Sequence, residues 1–388
     1  MDRNNLDNRL VHSDNDEKRP PGSRTLRPVS IIGAIIGDTK EALLSSKKAL
    51  VCCYNAFIRQ ERAKIVEKNL KKLDDPFVEI TGDKQIQLVN ECFSTMEKML
   101  PKHLYKYREG KDHDIQNLID DTIYLTEPRC FNDPKECKSY VDIPKMVKYA
   151  FTRKEHAAEV YSKLLCGEDI TDEDEKWLNK SAIFGEYGLE QIIHIKNMVK
   201  IACLSESIDS TLMWAHYSCN HKGFAIRYRM YDQDWCQCNN CKERDGVLCR
   251  RPEKPLYPVI YRGKRYNATK YAMVRAAMID ANDGIDPEDY PMPLLPILQK
   301  DRCWKYEHEW RIICYNRDIK NMPLKAEAIF LGAEVSNELA EKLWIIAKNK
   351  GLKVYKMYVD DFSNSFDLKY DDITDYSESE FRRLILRD

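Results

Sequence analysis

The stretch Ser205–Tyr228 joins a short helix to a strand through a glycine, and this junction constrains the fold more than any other feature of the sequence. Asp209 or Ser210 can cap the helix, because either side chain accepts hydrogen bonds from the N–H groups of a first helical turn. Gly223 ends the helix, and the residues after it begin a strand. Sites on α/β and α+β scaffolds often lie at such junctions, so we expect one here.

Helical spacing divides the aromatic and polar side chains of this stretch between faces. Trp214, Tyr217 and His221 share one face, and His216 lies on another. We interpret His216 as a candidate catalytic residue, and Trp214, His221 and Lys222 as candidate ligand-binding residues. The alternative for each is an ordinary core or surface position.

A second stretch, Trp304–Ile313, alternates like a strand. The alternation places Glu307, Glu309 and Arg311 on one face, with neighbouring positions roughly 7 Å apart. Two carboxylates so placed repel each other unless they bind something or are neutralised by neighbours. We therefore predict a site containing these residues, and a solvent-facing charged strand edge is the alternative.

Four blocks of the sequence resemble the signature blocks of a known family. They are MWAHYSCNHKGFAI at 213–226, WKYEHEWRII at 304–313, LYKYR at 104–108 and IYLTEPRCFNDP at 123–134. These blocks resemble domain-of-unknown-function family 2971, a large and mostly bacterial group. The resemblance runs from about Leu104 to Tyr315. It identifies a related family but does not indicate which reaction the protein catalyses.

Charge and hydropathy predict a protein without a strong preference for nucleic acid or membrane. The 388 residues include 62 Lys+Arg and 63 Asp+Glu, so no global field attracts polyanions or anionic lipid. The longest apolar run, Ile31–Gly37, is far shorter than the roughly 20 residues that span a bilayer, and it does not resemble a signal peptide. We therefore expect a cytoplasmic protein whose 14 cysteines are thiols or metal ligands.

Residue patterning divides the chain into four regions. Residues 1–28 are polar and broken by Pro and Gly, which predicts a disordered lead-in, and residues 29–102 carry amphipathic helical patterns typical of an accessory region. Residues 103–360 alternate irregularly between short strands and helices. This pattern predicts an α+β core domain with a mixed or antiparallel central sheet and flanking helices. Residues 361–388 are an acidic tail that ends in a short helix.

A cysteine-rich insertion at 232–252 predicts a metal site. Its thiols, Cys236, Cys238, Cys241 and Cys249, have the spacing C-x-C-x2-C-x7-C. Soft thiolates suit tetrahedral Zn²⁺, and four sulfur ligands close its coordination sphere. The hypothesis is thus a structural zinc that stabilises the insertion, and the alternative is four unbound thiols.

Several common catalytic signatures are missing from the sequence. It contains no GxxxxGK[ST], no GxGxxG after a strand, no HExxH and no GxSxG. The CxxC lacks the HxE partner of a zinc deaminase.

The remaining polar and aromatic residues suit a nucleotide-like small ligand. Arg and His bind phosphate or carboxylate, aromatic faces stack on planar bases, and carboxylates act as bases or stabilise cations. The set consists of Tyr105, Tyr107, Arg108, Asn132, Asp133, His216, His221, Lys222, Glu307, Glu309 and Arg311.

The order of these features resembles that of ADP-ribosyltransferase-type toxins, which use NAD. In those enzymes a basic or aromatic group on the first strand holds NAD, and a late glutamate supports loss of nicotinamide. The resemblance implies that Arg108, with Tyr105 or Tyr107, holds NAD. It makes Glu309 the catalytic carboxylate, with Glu307 as the competing choice, in a toxin or bacterial defence setting.

Two other function classes stay open from the sequence. One is a non-catalytic module that binds a ligand or a partner. The other is a metal-dependent nuclease that places Asp133, Glu307 and Glu309 around a hard ion. The sequence makes no prediction of oligomeric state.

Overall fold

The computed structural model describes residues 57–69, 71, 99–146, 155–176, 199–232, 256–273, 294–314, 316–360, 364 and 366–386. The chain divides into two compact units, Met1–Arg59 and Gln60–Asp388, and the fold below is that of the second. The predicted lead-in, most of the predicted accessory region and all four candidate zinc ligands lie outside the described residues; within the accessory region, residues 57–69 are helical. None of the helices described here is long and apolar enough to cross a membrane.

The strands of the described residues are β1 (His103–Arg108), β2 (Thr122–Tyr124), β3 (Lys200–Ser205), β4 (Phe224–Arg229), β5 (Leu256–Pro258), β6 (Ile260–Arg262), β7 (Gln299–Asp301), β8 (Glu309–Cys314), β9 (Asn321–Pro323), β10 (Ala326–Leu331), β11 (Lys353–Val359) and β12 (Leu368–Asp372). Eight of them form one sheet in the order β12-β11-β10-β4-β1-β3-β8-β5. In this sheet β10 and β11 run parallel, and the other neighbours run antiparallel. The mixed sheet confirms the predicted α+β class.

The helices that flank the strands are α1 (Asp112–Ile119), α2 (Glu155–Cys166), α3 (Thr211–Tyr217), α4 (Leu295–Leu298), α5 (Asn337–Lys350) and α6 (Glu378–Leu384), with 3₁₀ helices at Pro128–Cys130, Met230–Asp232 and Arg302–Glu307. Local sequence explains the ends of the longest of them, α5. The Ser336 side chain accepts a hydrogen bond from Leu339 N, and Gly351 ends the helix with φ +65°. Ser210 caps α3 in the same way, as its sequence predicts.

One face of the sheet packs its apolar side chains against α5. Leu343 and Ala347 of this helix are fully buried in that core. The core also reaches α6, where the Phe381 ring stacks on Trp344 with 4.8 Å between centroids. Since β12 is an edge strand of the same sheet, the fold extends past the predicted core boundary at residue 360.

The opposite face contains a gap between two strands. In the described part of the chain, β1 and β3 are paired at a single register position, Tyr105 opposite Ser205. Nearer the start of β3, Ile201 pairs instead with Thr126 through an isolated bridge. The two strands therefore separate on the N-terminal side of Ser205, and two apolar clusters cover the sheet on either side of the opening.

Residues 304–308, predicted as the start of a strand, have a different structure. Arg302–Glu307 is a 3₁₀ helix whose N-cap, Asp301, accepts a hydrogen bond from Cys303 N at 3.1 Å. His308 follows with φ +45°, so the chain turns before β8 starts at Glu309. The prediction of a continuous strand was wrong because this left-handed residue interrupts the alternation, and the Asp301 cap was the local signal for a helix.

Candidate functional site

A cavity of about 220 Å³ lies where β1 and β3 separate. Segment 126–136, α3 and the 3₁₀ helix before β8 complete its walls. Much of the lining is aromatic, because it includes Tyr105, Tyr107, Phe131, Tyr217 and Trp304. Such a lining offers ring faces to a planar ligand.

Buried charged side chains form a cluster at the wall of this cavity. Lys300 Nζ lies 2.7 Å from Glu136 Oε1, 2.5 Å from Glu307 Oε2 and 3.0 Å from Glu309 Oε2. Arg311, which is fully buried, pairs with Glu136 at 2.6 Å and with Glu309 at 2.8 Å. Three carboxylates thus share two cations. One negative charge is left over unless a carboxylate takes up a proton.

Glu307 is the carboxyl group of the cluster whose surroundings most favour uptake of this proton. Its Oε1 accepts a hydrogen bond from the Tyr217 hydroxyl at 2.6 Å, and its Oε2 accepts one from Lys300. Burial, assisted by the nearby Glu309 carboxylate, raises the pKa of Glu307 to about 7. A carboxyl group that titrates near neutrality at a cavity wall can both donate and accept a proton.

Glu309 has the opposite electrostatic character, although it lines the same cavity. Burial disfavours its charge, but Arg311 and Lys300 outweigh burial and hold the pKa of Glu309 well below its ordinary value. Burial lowers the pKa of Lys300, but Glu309, Glu136 and Glu307 outweigh burial and hold this pKa well above its ordinary value. Glu309 and Lys300 are therefore a permanently charged pair that fixes the position of Glu307.

Hydrogen bonds to the backbone fix the two glutamates on either side of the turn at His308. The Ser205 hydroxyl donates to the Glu307 carbonyl oxygen at 2.6 Å. The backbone N–H of Glu309 donates to the Tyr261 hydroxyl at 2.9 Å. These bonds connect the turn to β3 and β6, so the backbone that carries the two carboxyl groups is held by strands rather than by a free loop.

Lys106 lies in the gap between β1 and β3. Its ammonium donates a hydrogen bond to the Cys203 carbonyl oxygen at 2.9 Å and lines the cavity. Burial, with a smaller effect of the Arg108 charge, lowers the pKa of Lys106 to about 8. The cavity therefore contains a second group that titrates not far from neutral pH.

Some of the residues predicted from the sequence meet in this cavity, and others do not. Those that line it are Tyr105, Tyr107, Asn132, Asp133, Glu307 and Glu309. Arg311 supports the cavity from behind through Glu309 and Glu136. Arg108 points away from it, and its Nη1 lies 3.4 Å from Asp114 Oδ1.

The candidate residues of the helix–strand junction lie outside the cavity lining. Trp214 is fully buried and donates its indole N–H to the Ile208 carbonyl oxygen at 2.6 Å, and the His221 ring stacks on it. Lys222 is exposed. His216 is also exposed, and its ring centroid lies 6.3 Å from that of Tyr306.

The predicted assignment of side chains to helical faces is wrong beyond Tyr217. The helix ends there, and Cys219, Asn220 and His221 all have positive φ, so His221 is not in helical register with Trp214. Gly223 is required by a close approach, because a Cβ on it would lie 2.0 Å from the Arg108 carbonyl oxygen.

Sequence reasoning missed Lys106, Glu136 and Lys300 as parts of the site. Lys106 had one usable signal, since it stands between two tyrosines in the LYKYR block. Glu136 and Lys300 belong to a turn and a three-residue strand, and no local pattern connects them.

Within the described residues, no group of three or more His, Cys, Asp or Glu side chains is arranged to hold a metal ion. Asp133, Glu307 and Glu309 do line one cavity, as a metal-dependent nuclease would require. However, the Lys300 ammonium lies between the two glutamates, and Asp133 accepts a hydrogen bond from the Trp304 indole at 3.0 Å.

Comparison with known families concerns the later half of this site. The sequence model of the family described as "Protein of unknown function (DUF2971)" matches residues 213–312. The match confirms the family resemblance for this segment, which supplies Tyr217, Lys300, Glu307 and Glu309, whereas earlier residues supply β1 and Glu136. No curated protein and no solved structure matches the chain.

Proposed function

We propose that the cavity is the active site of a nucleotide-directed enzyme in which Glu307 transfers a proton. The observation that carries this proposal is the placement of Glu307 at the cavity wall, between the Tyr217 hydroxyl and the Lys300 ammonium. A general acid–base is most effective when its pKa is near the operating pH, and burial raises the pKa of Glu307 to about 7.

The aromatic lining supports a planar ring as the group that enters the cavity. Tyr105, Phe131 and Trp304 offer ring faces, while Asn132 and Lys106 offer polar groups. The volume of about 220 Å³ is below the ~300–1,000 Å³ of pockets that enclose a drug-sized ligand. A heterocyclic base or a nucleoside fits such a volume, and the rest of a nucleotide extends outside it.

ADP-ribosyl transfer from NAD is the specific form of this proposal to test first. In this form Glu307 is the catalytic carboxylate, because Glu309 is held by Arg311 and Lys300. Arg108 has no contact with the ligand, since it lies on the other face of the sheet. A toxin or defence role would follow from this chemistry.

The test is a turnover assay with Glu307→Gln. Nicotinamide release from NAD, and conversion of other nucleotides, are followed by chromatography for the wild type and for this variant. Glutamine keeps the shape and the oxygen that accepts from Tyr217 but cannot transfer a proton. We therefore expect a roughly 10²–10⁴-fold loss of turnover with ligand binding retained.

A matched control is Glu338→Gln, which removes an exposed carboxylate in the first turn of α5. It should leave turnover unchanged. Equal turnover by wild type and Glu307→Gln would remove Glu307 from the catalytic role.

A non-catalytic binding module is the second candidate. It is favoured by the tight pairing of Lys300 with three carboxylates, an arrangement that also serves as structural support. A nucleotide that raises the melting temperature of wild type and of Glu307→Gln equally, without product from either, would select this candidate. Cleavage of nucleic acid that depends on Mg²⁺ or Mn²⁺ would instead select the nuclease.

A further inference from the structure

A second cavity of about 220 Å³ adjoins the first. Asp133, Glu136 and Lys300 line both cavities, so the two share a wall. Five aromatic side chains line the first cavity, whereas most of the residues that line the second are polar or charged. A single ligand with an aromatic part and a charged part could therefore occupy both.

Positive charge dominates the lining of the second cavity, although the whole chain is nearly neutral. Its carboxylates already have partners: Glu136 pairs with Lys300 and Arg311, Asp133 accepts a hydrogen bond from Trp304, and Asp301 caps a 3₁₀ helix. The cationic side chains of this lining are Lys135, Lys138, Arg262, Lys264, Arg265 and Lys300. Lys300 is buried, and Arg262 pairs with Glu67. The other four cations belong to exposed residues, so they are accessible to a dissolved anion.

Backbone hydrogen bonds hold the two basic segments, 135–138 and 262–265, against each other. Tyr140 N donates to the Tyr266 carbonyl oxygen at 2.8 Å, and Ala268 N donates to the Tyr140 carbonyl oxygen at 2.8 Å. The Gln299 side chain donates to the Lys264 carbonyl oxygen, which connects the second segment to β7. The cations therefore converge on one framework, and like charges held together in this way are stabilised by an anion.

We infer that the second cavity binds the phosphate groups of the ligand whose ring occupies the first cavity. Lysine and arginine side chains form charge-assisted hydrogen bonds to phosphate oxygens, and arginine can do so with two N–H groups at once. The inference rests on the proposed function and narrows its substrate class to nucleotides with two or more phosphates. Lys300, at the shared wall, lies where the sugar or first phosphate of such a ligand would be.

The test uses inorganic pyrophosphate, measured by titration calorimetry with the full chain. The cavity variant is Lys138→Ala/Lys264→Ala/Arg265→Ala. The matched control is Lys102→Ala/Lys353→Ala/Arg383→Ala, which removes the same charges from exposed positions that line neither cavity. We expect affinity for pyrophosphate to fall roughly tenfold or more in the cavity variant and to be unchanged in the control.

Two further measurements separate this inference from the proposed function. Glu307→Gln should bind pyrophosphate as the wild type does, because Glu307 does not line the second cavity. Adenosine should bind the cavity variant as it binds the wild type. If pyrophosphate binding depends on the cavity cations but no nucleotide is turned over, the phosphate subsite is supported and the proposed enzymatic function is ruled out.

The inference is overturned if pyrophosphate fails to bind the wild type or binds both triple variants equally. A single-stranded oligonucleotide that binds where pyrophosphate does not would also overturn it, in favour of a polynucleotide ligand. Binding to the wild type should weaken as salt is raised, because exposed charges are screened beyond about 8 Å at physiological ionic strength.

Discussion

The two faces of the central sheet are built from different interactions. Against α5, the buried side chains are hydrocarbon and aromatic, as at Leu343 and Phe381. On the other face, Lys300, Glu309 and Arg311 are buried as an ion cluster beside a cavity. The first face needs apolar groups of suitable volume, whereas the second needs every charged partner in place.

This difference has a thermodynamic consequence. Apolar burial is non-directional and does not depend on protonation. A buried ion cluster loses hydration, and it is stable only when each charge finds its partners. Variants on the two faces should therefore differ in the size of their effects and, more sharply, in the dependence of those effects on pH.

The largest effect is expected from Arg311→Met. Arg311 is fully buried and pairs with Glu136 and Glu309, so its removal leaves carboxylates without compensation. We expect the free energy of unfolding to fall by about 3–5 kcal/mol, measured by denaturant titration. The double variant Glu309→Gln/Arg311→Met should recover part of the loss. No recovery would mean that packing, rather than charge, explains the role of Arg311.

A smaller loss, about 2–4 kcal/mol, is expected from Leu343→Ala on the apolar face. Leu343 is fully buried in the core beneath α5, so the variant leaves a cavity among hydrocarbon groups. The loss should be the same at pH 5 and pH 8, since no titrating group is removed. A loss that changed with pH would show that the two faces are not as separate as their contacts indicate.

The smallest expected change in the free energy of unfolding is an increase, and it is caused by Glu307→Gln. The folded chain holds the pKa of Glu307 at about 7, above its ordinary value of 4.5, so the folded state binds more protons between these values. Wild-type stability from this group is therefore complete below about pH 4.5 and is lost as pH rises through 7. Glutamine cannot ionise, and we expect it to raise the free energy of unfolding by about 1–3 kcal/mol at pH 8.

The same variant should match the wild type at acid pH, where Glu307 is protonated in both states. Denaturant titration at several pH values checks this difference. A variant less stable than the wild type at pH 8 would show that Lys300 requires the ionised carboxylate of Glu307.

Sequence reasoning worked best for elements whose ends carry their own chemistry. Ser210, one of the two predicted caps, begins α3, and Ser336 and Gly351 mark the ends of α5 by the same kind of local chemistry. Alternation located the later part of the predicted strand Trp304–Ile313, which is β8. It failed at residues 304–308, because His308 adopts a left-handed conformation that its residue type does not require.

The candidate site was predicted only in part, for a similar reason. Glu307 and Glu309 stood out as neighbouring carboxylates, but their shared cation, Lys300, lies in a short strand of its own. Arg108 carries a cation suited to a phosphate and belongs to the LYKYR block. However, its side chain lies on the opposite side of the sheet from that of Tyr107.

The sequence by itself determined the fold class, the family resemblance and the caps of several helices, because these depend on patterns within one segment. The tertiary structure decided which charges meet. A protonation state such as that of Glu307 depends on burial and on Glu309, Lys300 and Tyr217 together, and these residues are brought into contact by three separate elements. Electrostatic energies depend on distance in space, and distance along the chain carries almost no information about it.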